Sequence, residues 1–174
     1  MPYFNIVAET SENTVVTEYE PVKNRSDSYQ SEAALEQEFI RLLCEQGYEY
    51  LPVHTDRDLV SNLRKKLEEL NKYQFSDTEW EDFFKNTIAN SNEHIVEKTR
   101  TIQEDNVKVL KRDGGETKNI TLIDKTNIHN NRLQVINQYV VSKQDGAKHD
   151  NRYDVTVLVN GLPLVHIELK RRGV

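Results

Sequence analysis

Apolar positions recur along this chain with two periods, and the dominant period changes near residue 104. Between residues 31 and 101 the spacing is helical. Leu35, Phe39, Leu42 and Leu43 share one face of a helix that Ser31 can cap and that stops at Gly47. Cys44 sits near that face and reads as a small core residue. Residues 48–53 read as a strand leaving this helix. Leu59, Leu63, Leu67 and Leu70 form the stripe of a second helix over residues 58–72. Ser76 with Glu79 three residues later is a capping box, and it opens a third helix with Trp80, Phe83, Phe84 and Ile88 on its inner face. A shorter helix fits residues 91–101. These stripes predict core packing and carry no chemistry of their own.

Beyond residue 104 the pattern is that of strands. Residues 107–110 and 119–123 flank Asp113-Gly114-Gly115 and predict a hairpin. Residues 133–141 alternate in part and read as a strand, residues 142–150 as a polar loop, and residues 153–159 and 164–170 as two further strands. At the other end of the chain, residues 3–8 and 13–19 read as short strands or an extended arm, followed by a polar loop at 24–29. The order is helices first and then a mostly antiparallel or mixed sheet, which predicts an α/β chain of the α+β kind. Residues 1–30 form an N-terminal arm and residues 31–174 the main domain.

The last two strands change the picture from packing to chemistry. Asn160-Gly161 is a strong hairpin signal. With a three-residue loop at 160–162, Asp154 falls directly opposite Glu168. With a two- or four-residue loop it falls one position away. Facing residues on antiparallel strands share a side of the sheet, and so do Glu168 and Lys170, two residues apart. The hairpin therefore gathers two carboxylates and an ammonium. The flanking segments, 155–159 and 164–167, are nearly all apolar and read as buried strands. Like charges at the margin of such strands repel, and a divalent cation relieves the repulsion; hard oxygen ligands suit Mg²⁺. A second Glu-x-Lys triplet, Glu116-Thr117-Lys118, lacks an acid on a facing apolar strand and reads as solvated.

Composition bounds what this chemistry serves. The 174 residues are 30% charged and 36% hydrophobic, with a formal net charge of −6 and one cysteine. One cysteine excludes an internal disulfide. No apolar run approaches the roughly 20 residues that span a bilayer, and residues 1–10 lack the pattern of a secretory signal. A cytoplasmic location away from membranes is the expectation. The acidic balance predicts weak grip on nucleic acid by this chain alone. The five histidines, His54, His94, His129, His149 and His166, show no zinc-ligand spacing. His166, two residues before Glu168, reads as a packed or solvated side chain near the site. Arg171 and Arg172 are candidates for phosphate contact or a solvated chain end.

An acid, a strand–turn–strand and then Glu-x-Lys is the pattern of the PD-(D/E)xK nuclease superfamily. The string from Asn151 to Lys170, with its Asn-Gly-Leu-Pro turn followed by Glu-Leu-Lys, closely resembles the nuclease region of type I restriction enzyme R subunits. The likeness extends to Tyr29-Gln30-Ser31-Glu32, Gly47-Tyr48-Glu49 and Leu122-Ile123-Asp124-Lys125. Tyr153 stands where the superfamily pattern has proline. The resemblance implies a restriction-endonuclease-like core in residues 31–174 that cleaves double-stranded DNA with Mg²⁺. Asp154 and Glu168 are then metal ligands, Lys170 the catalytic lysine, and Glu32 the first-helix glutamate near the site, with Glu36 next in line. The resemblance also implies methylation and specificity subunits as partners, and ATP used only through motor domains that this chain does not contain. A Gln-x-x-x-Tyr motif and those motor domains would follow Lys170 in such a subunit, so the chain reads as truncated. The second reading is a non-catalytic interaction module with the same fold.

Overall fold

A computed structural model describes residues 3–9, 15–20, 31–53, 55–141 and 151–170. Expectations for the loops at 24–29 and 142–150, and for His54, His149, Arg171 and Arg172, fall outside these residues. The chain divides into two compact units, Met1–Gln30 and Ser31–Val174. In the first, β1 (Tyr3–Glu9) and β2 (Val15–Glu20) pair antiparallel, with a register shift between Ile6 and Ala8.

The second unit runs α1 (Glu32–Glu45), β3 (Glu49–Tyr50), α2 (Asp56–Asn71), α3 (Asp77–Phe83), a π-helical turn (Phe84–Ile88), α4 (Ile95–Gln103), β4 (Val107–Lys111), β5 (Thr117–Thr121), β6 (Leu133–Val141), β7 (Asn151–Val159) and β8 (Leu162–Ile167). Helices precede most of the sheet, and the sheet is mixed. β3, β6, β7 and β8 form four strands in that order, with β3 parallel to β6 and the other pairs antiparallel. β4 and β5 make a separate two-stranded hairpin.

The helix starts follow from their caps. Ser31 accepts the Ala34 N–H at 3.1 Å. Ser76 accepts the Glu79 N–H at 3.1 Å, while the Glu79 carboxylate returns to the Ser76 N–H at 3.1 Å, the reciprocal box that its sequence predicts. α2 begins two residues before its apolar stripe suggests, because Thr55 and Asp58 close a second box. α4 starts at Ile95 instead of residue 91, where the Glu97 carboxylate takes the His94 N–H. β3 is shorter than the expected strand at 48–53. Only Glu49 and Tyr50 pair with β6, and Leu51 adds one hydrogen bond to Val135.

α2 joins the two parts of the core. Leu63 and Leu67 pack with Phe75, Trp80, Phe83, Leu110, Ile120, Leu122 and Leu162, and Leu59 packs with Ile136 and Leu158 of the sheet. Aromatic rings fill the first cluster, with Phe75 5.4 Å from Trp80 and 5.7 Å from Phe83 between centroids. Three expectations of burial fail. Of the α1 stripe, Leu42 is exposed and Leu35, Phe39 and Leu43 are half-buried. Cys44 is exposed, because α1 meets the sheet through Glu36, the buried residue of that helix, and leaves its C-terminal turns in solvent. Among the described residues β8 is an edge strand, with Leu164 36% and Val165 47% exposed, so its apolar run is no sign of burial on both faces. Pro163 fits that place, since it has no N–H to give a further strand.

Candidate functional site

The turn between β7 and β8 sets the geometry of the site. Asn160 and Gly161 both have positive φ, 51° and 84°, as a two-residue hairpin turn of the primed type requires. Asn160 is 1% exposed. Its Oδ1 accepts the Arg132 N–H at 2.8 Å, and its Nδ2 donates to the Leu122 carbonyl at 3.0 Å and to Asn131 Oδ1 at 2.8 Å. A methyl group on Gly161 would come within 2.6 Å of Leu63 Cα, so the turn lies directly on the α2 backbone.

A two-residue turn alone would leave Asp154 and Glu168 one position apart. A bulge corrects this. Val159 pairs with Leu162 and Leu158 with Pro163, but Val157 pairs with Val165, so Leu164 is an extra residue on β8. Val155 then faces Ile167, and the next positions of the same register are Asp154 and Glu168. The alignment expected from a three-residue loop is reached by a two-residue turn and a bulge.

Glu168 and Lys170 lie just past the end of β8 and not within it. Asp154 holds this segment by accepting the Leu169 N–H on Oδ2 at 2.7 Å. Glu168 Oε1 lies 3.3 Å from Lys170 Nζ, with the two side chains 66% and 77% exposed. Such an exposed ion pair contributes little to stability.

Asp154, Glu168 and Lys170 line one groove of about 830 Å³, together with Glu32 and Glu36 of α1 and Asn137 and Gln138 of β6. Among the described residues, four carboxylates thus share this groove with one ammonium. Glu32, the first choice on α1, is exposed. Glu36 is 8% exposed, and its carboxylate accepts the Asn137 amide at 2.7 Å and the Gln138 amide on its other oxygen. No group of three or more His, Cys, Asp or Glu side chains gathers around a common point among the described residues. Mg²⁺ does not need one. It keeps several waters and is held by one or two carboxylates together with substrate phosphate. The donor chemistry of this groove, hard carboxylate oxygen in excess of cationic side chains, fits that ion.

Asn137 and Gln138 escape the sequence reading, although two successive amides do interrupt the otherwise apolar residues 135–141 of β6. Gln138 has φ 55°, a left-handed backbone inside a strand. Its neighbours pair regularly, Asn137 with Val155 and Tyr139 with Tyr153, so Gln138 stands in register with Asp154.

His166 belongs elsewhere. It lines a second groove with α4, its ring stacks on Tyr153 with centroids 4.1 Å apart, and its Nδ1 lies 3.0 Å from Thr156 Oγ1. Burial lowers its pKa from the ordinary imidazole value. The other Glu-x-Lys triplet is occupied as well. Glu116 pairs with Arg112 at 3.0 Å, and Lys118 sits 5.1 Å over the Tyr73 ring.

The chain matches the family described as type I restriction enzyme R protein N terminus over residues 29–174. Among curated proteins it is 43% identical to the type I restriction enzyme EcoprrI endonuclease subunit of Escherichia coli, over 97% of this chain and 53% of that protein. It is 38% identical to the type I restriction enzyme SsaAORF53P endonuclease subunit of Staphylococcus saprophyticus, over 84% of this chain and 15% of that protein. It is 36% identical to the SauMSSORF170P endonuclease subunit of Staphylococcus aureus, over the same shares. The chain therefore spans about half the length of the first relative and a much smaller part of the others.

Proposed function

The chain belongs to the family of type I restriction enzyme R protein N-terminal regions, and from that premise we propose that its carboxylate groove is the DNA-cleaving centre of such an enzyme. The observation that carries the reading is the meeting of Asp154, Glu168 and Lys170 on one groove in which carboxylates outnumber cations. Asp154 and Glu168 would hold Mg²⁺, with one α1 carboxylate beside them. Bound there, the ion supplies Lewis acidity toward a phosphate oxygen and a water of lowered pKa.

The side chains divide the remaining work. Asp154 keeps the Glu168–Lys170 segment in place through the Leu169 N–H, so two of the three groups stay at fixed spacing from the third. Lys170 carries the one positive charge that lines the groove among the described residues, and it stabilises negative charge developing on a phosphodiester or orients the attacking water. The substrate is double-stranded DNA, read for sequence by a separate specificity subunit and protected by a methylation subunit. ATP enters only through motor domains outside this chain, and the complex works in the cytoplasm, away from membranes. Among the described residues no helix is long and apolar enough to cross a membrane.

The test is made in a complete R subunit assembled with its partners. Asp154→Ala, Glu168→Ala and Lys170→Ala are each expected to abolish DNA cleavage and leave DNA-dependent ATP hydrolysis near wild type. Retained cleavage in one variant removes that residue from the mechanism. Loss of ATP hydrolysis in all three would point to a structural ion-pair network and to the non-catalytic reading.

A further inference from the structure

Glu36 is the most deeply placed carboxylate of the groove, and its hydrogen-bond partners on β6 are neutral. The side chain is 8% exposed, and its two oxygens accept the amides of Asn137 and Gln138. A carboxylate so far from water is costly to keep charged unless a cation faces it. Among the described residues, the groove it lines offers three other carboxylates and a single ammonium, Lys170, which pairs with Glu168. Each Glu36 oxygen still has lone-pair capacity after accepting one amide.

The strand that presents these amides is bent to do so. Gln138 holds φ 55°, in the region that side chains other than glycine, asparagine and aspartate seldom enter. The kink falls at the position in register with Asp154. A backbone outlier of this kind persists where the surroundings fix it, and such outliers gather at functional sites. Here it coincides with the point where β6 meets both the Glu36 carboxylate and the Asp154 strand.

We infer that Glu36, rather than Glu32, is the α1 carboxylate that serves the cation of this groove, and that Asn137 and Gln138 are its positioning residues. The inference rests on the groove being a cation site, as proposed above. Asn137 and Gln138 act through Glu36: they fix its carboxylate so that its free lone pairs face the cation or the waters it retains. Residues that hold a metal ligand from behind typically carry about 10- to 100-fold in metal affinity.

The experiment measures Mn²⁺ binding to the 174-residue chain from the free-ion electron paramagnetic resonance signal, beside thermal unfolding of the metal-free chain. Glu36→Gln is expected to weaken Mn²⁺ at least about tenfold with at most a small fall in the metal-free Tm, because it removes a buried charge but keeps an acceptor oxygen for only one of the two amides. Gln138→Gly keeps the left-handed backbone and deletes the amide. It is expected to weaken Mn²⁺ about tenfold with Tm held or raised, and Asn137→Ala to weaken Mn²⁺ similarly. Glu32→Gln is expected to move affinity by less than about threefold, well short of the loss typical of a ligand or its support. Unchanged affinity in Glu36→Gln and Gln138→Gly, with Tm reduced, would make this cluster a structural anchor of α1 and overturn the inference. So would the full loss appearing in Glu32→Gln. Asp154→Asn separates the two levels. If it abolishes Mn²⁺ binding while the Glu36 set has no effect, the cation site stands and the inference alone fails. If the wild-type chain shows no saturable binding, or Asp154→Asn changes nothing, the cation site itself is refuted and the inference falls with it.

Discussion

At the scale of single residues, Gly161 and Asn160 show what a turn signal conveys and what it leaves out. Asn-Gly announces a two-residue hairpin because both positions must take positive φ, and the structure has them at 51° and 84°. That the Asn160 amide is buried among Arg132, Leu122 and Asn131, and that Gly161 lies against Leu63, depends on segments far apart in sequence. No local pattern encodes those contacts. The consequence is measurable. Gly161→Ala adds left-handed strain to a close backbone approach and should cost about 2–4 kcal/mol. For a chain of this size that is a fall in Tm of roughly 5–12 °C. Gly114→Ala is the control, since nothing lies within 4 Å of the added methyl and φ is not in the left-handed region. Equal Tm for the two variants would mean that the turn does not rest on α2 as described. Glu36 illustrates the same limit. A glutamate on an amphipathic helix looks solvated in sequence, and only the packing of α1 on β6 makes it the buried one.

At the scale of elements, the sequence is most legible where one interaction dominates. The Ser76–Glu79 box and the leucine stripe of α2 act within a few turns of helix, and both appear where expected. β8 shows the opposite. Its apolar residues suggest a strand covered on both sides, but neighbours set burial, and among the described residues β8 has a neighbour on one side only. Glu79 links a local signal to a distant element. Its carboxyl pKa lies below the ordinary carboxylate value, chiefly because the Tyr73 hydroxyl donates to it at 2.7 Å, with help from the Ser76 and Asp113 N–H groups and Arg112, against the opposing effect of burial. Since folding depresses this pKa, the stabilisation is complete above the unfolded-chain value of about 4.3 and fades as the pH falls through the lower folded value. Tyr73→Phe keeps the ring under Lys118 and removes the hydroxyl. The urea midpoint of this variant should lie below wild type at pH 7, with the gap narrowing toward pH 3. A gap independent of pH would show that the hydroxyl acts through packing and not through the Glu79 charge.

At the scale of the whole molecule, charge decides what the chain can do by itself. The net charge is −6, and among the described residues the proposed site gathers four carboxylates against one ammonium where a DNA phosphate would have to sit. Affinity for DNA comes largely from neutralising phosphates with Lys and Arg, and this surface has no excess of them to offer. A divalent cation in the proposed site would compensate locally but would span only the phosphate being cut. The relatives that share this region are longer than the chain, which spans about half of one and 15% of another. On the proposed function, holding the duplex would fall to parts of the enzyme beyond this region. The expectation is that the 174-residue chain with Mg²⁺ nicks supercoiled plasmid weakly or not at all. The residual rate should fall steeply as salt is raised from 50 to 200 mM, because the few ionic contacts it makes are screened and released. Joining the same region to its motor and specificity partners should restore cleavage without any change in the groove. The contrary outcome is robust turnover by the isolated chain, lost in Lys170→Ala. That would show that the groove grips a phosphate well enough alone, and that the acidic surface is no barrier to DNA.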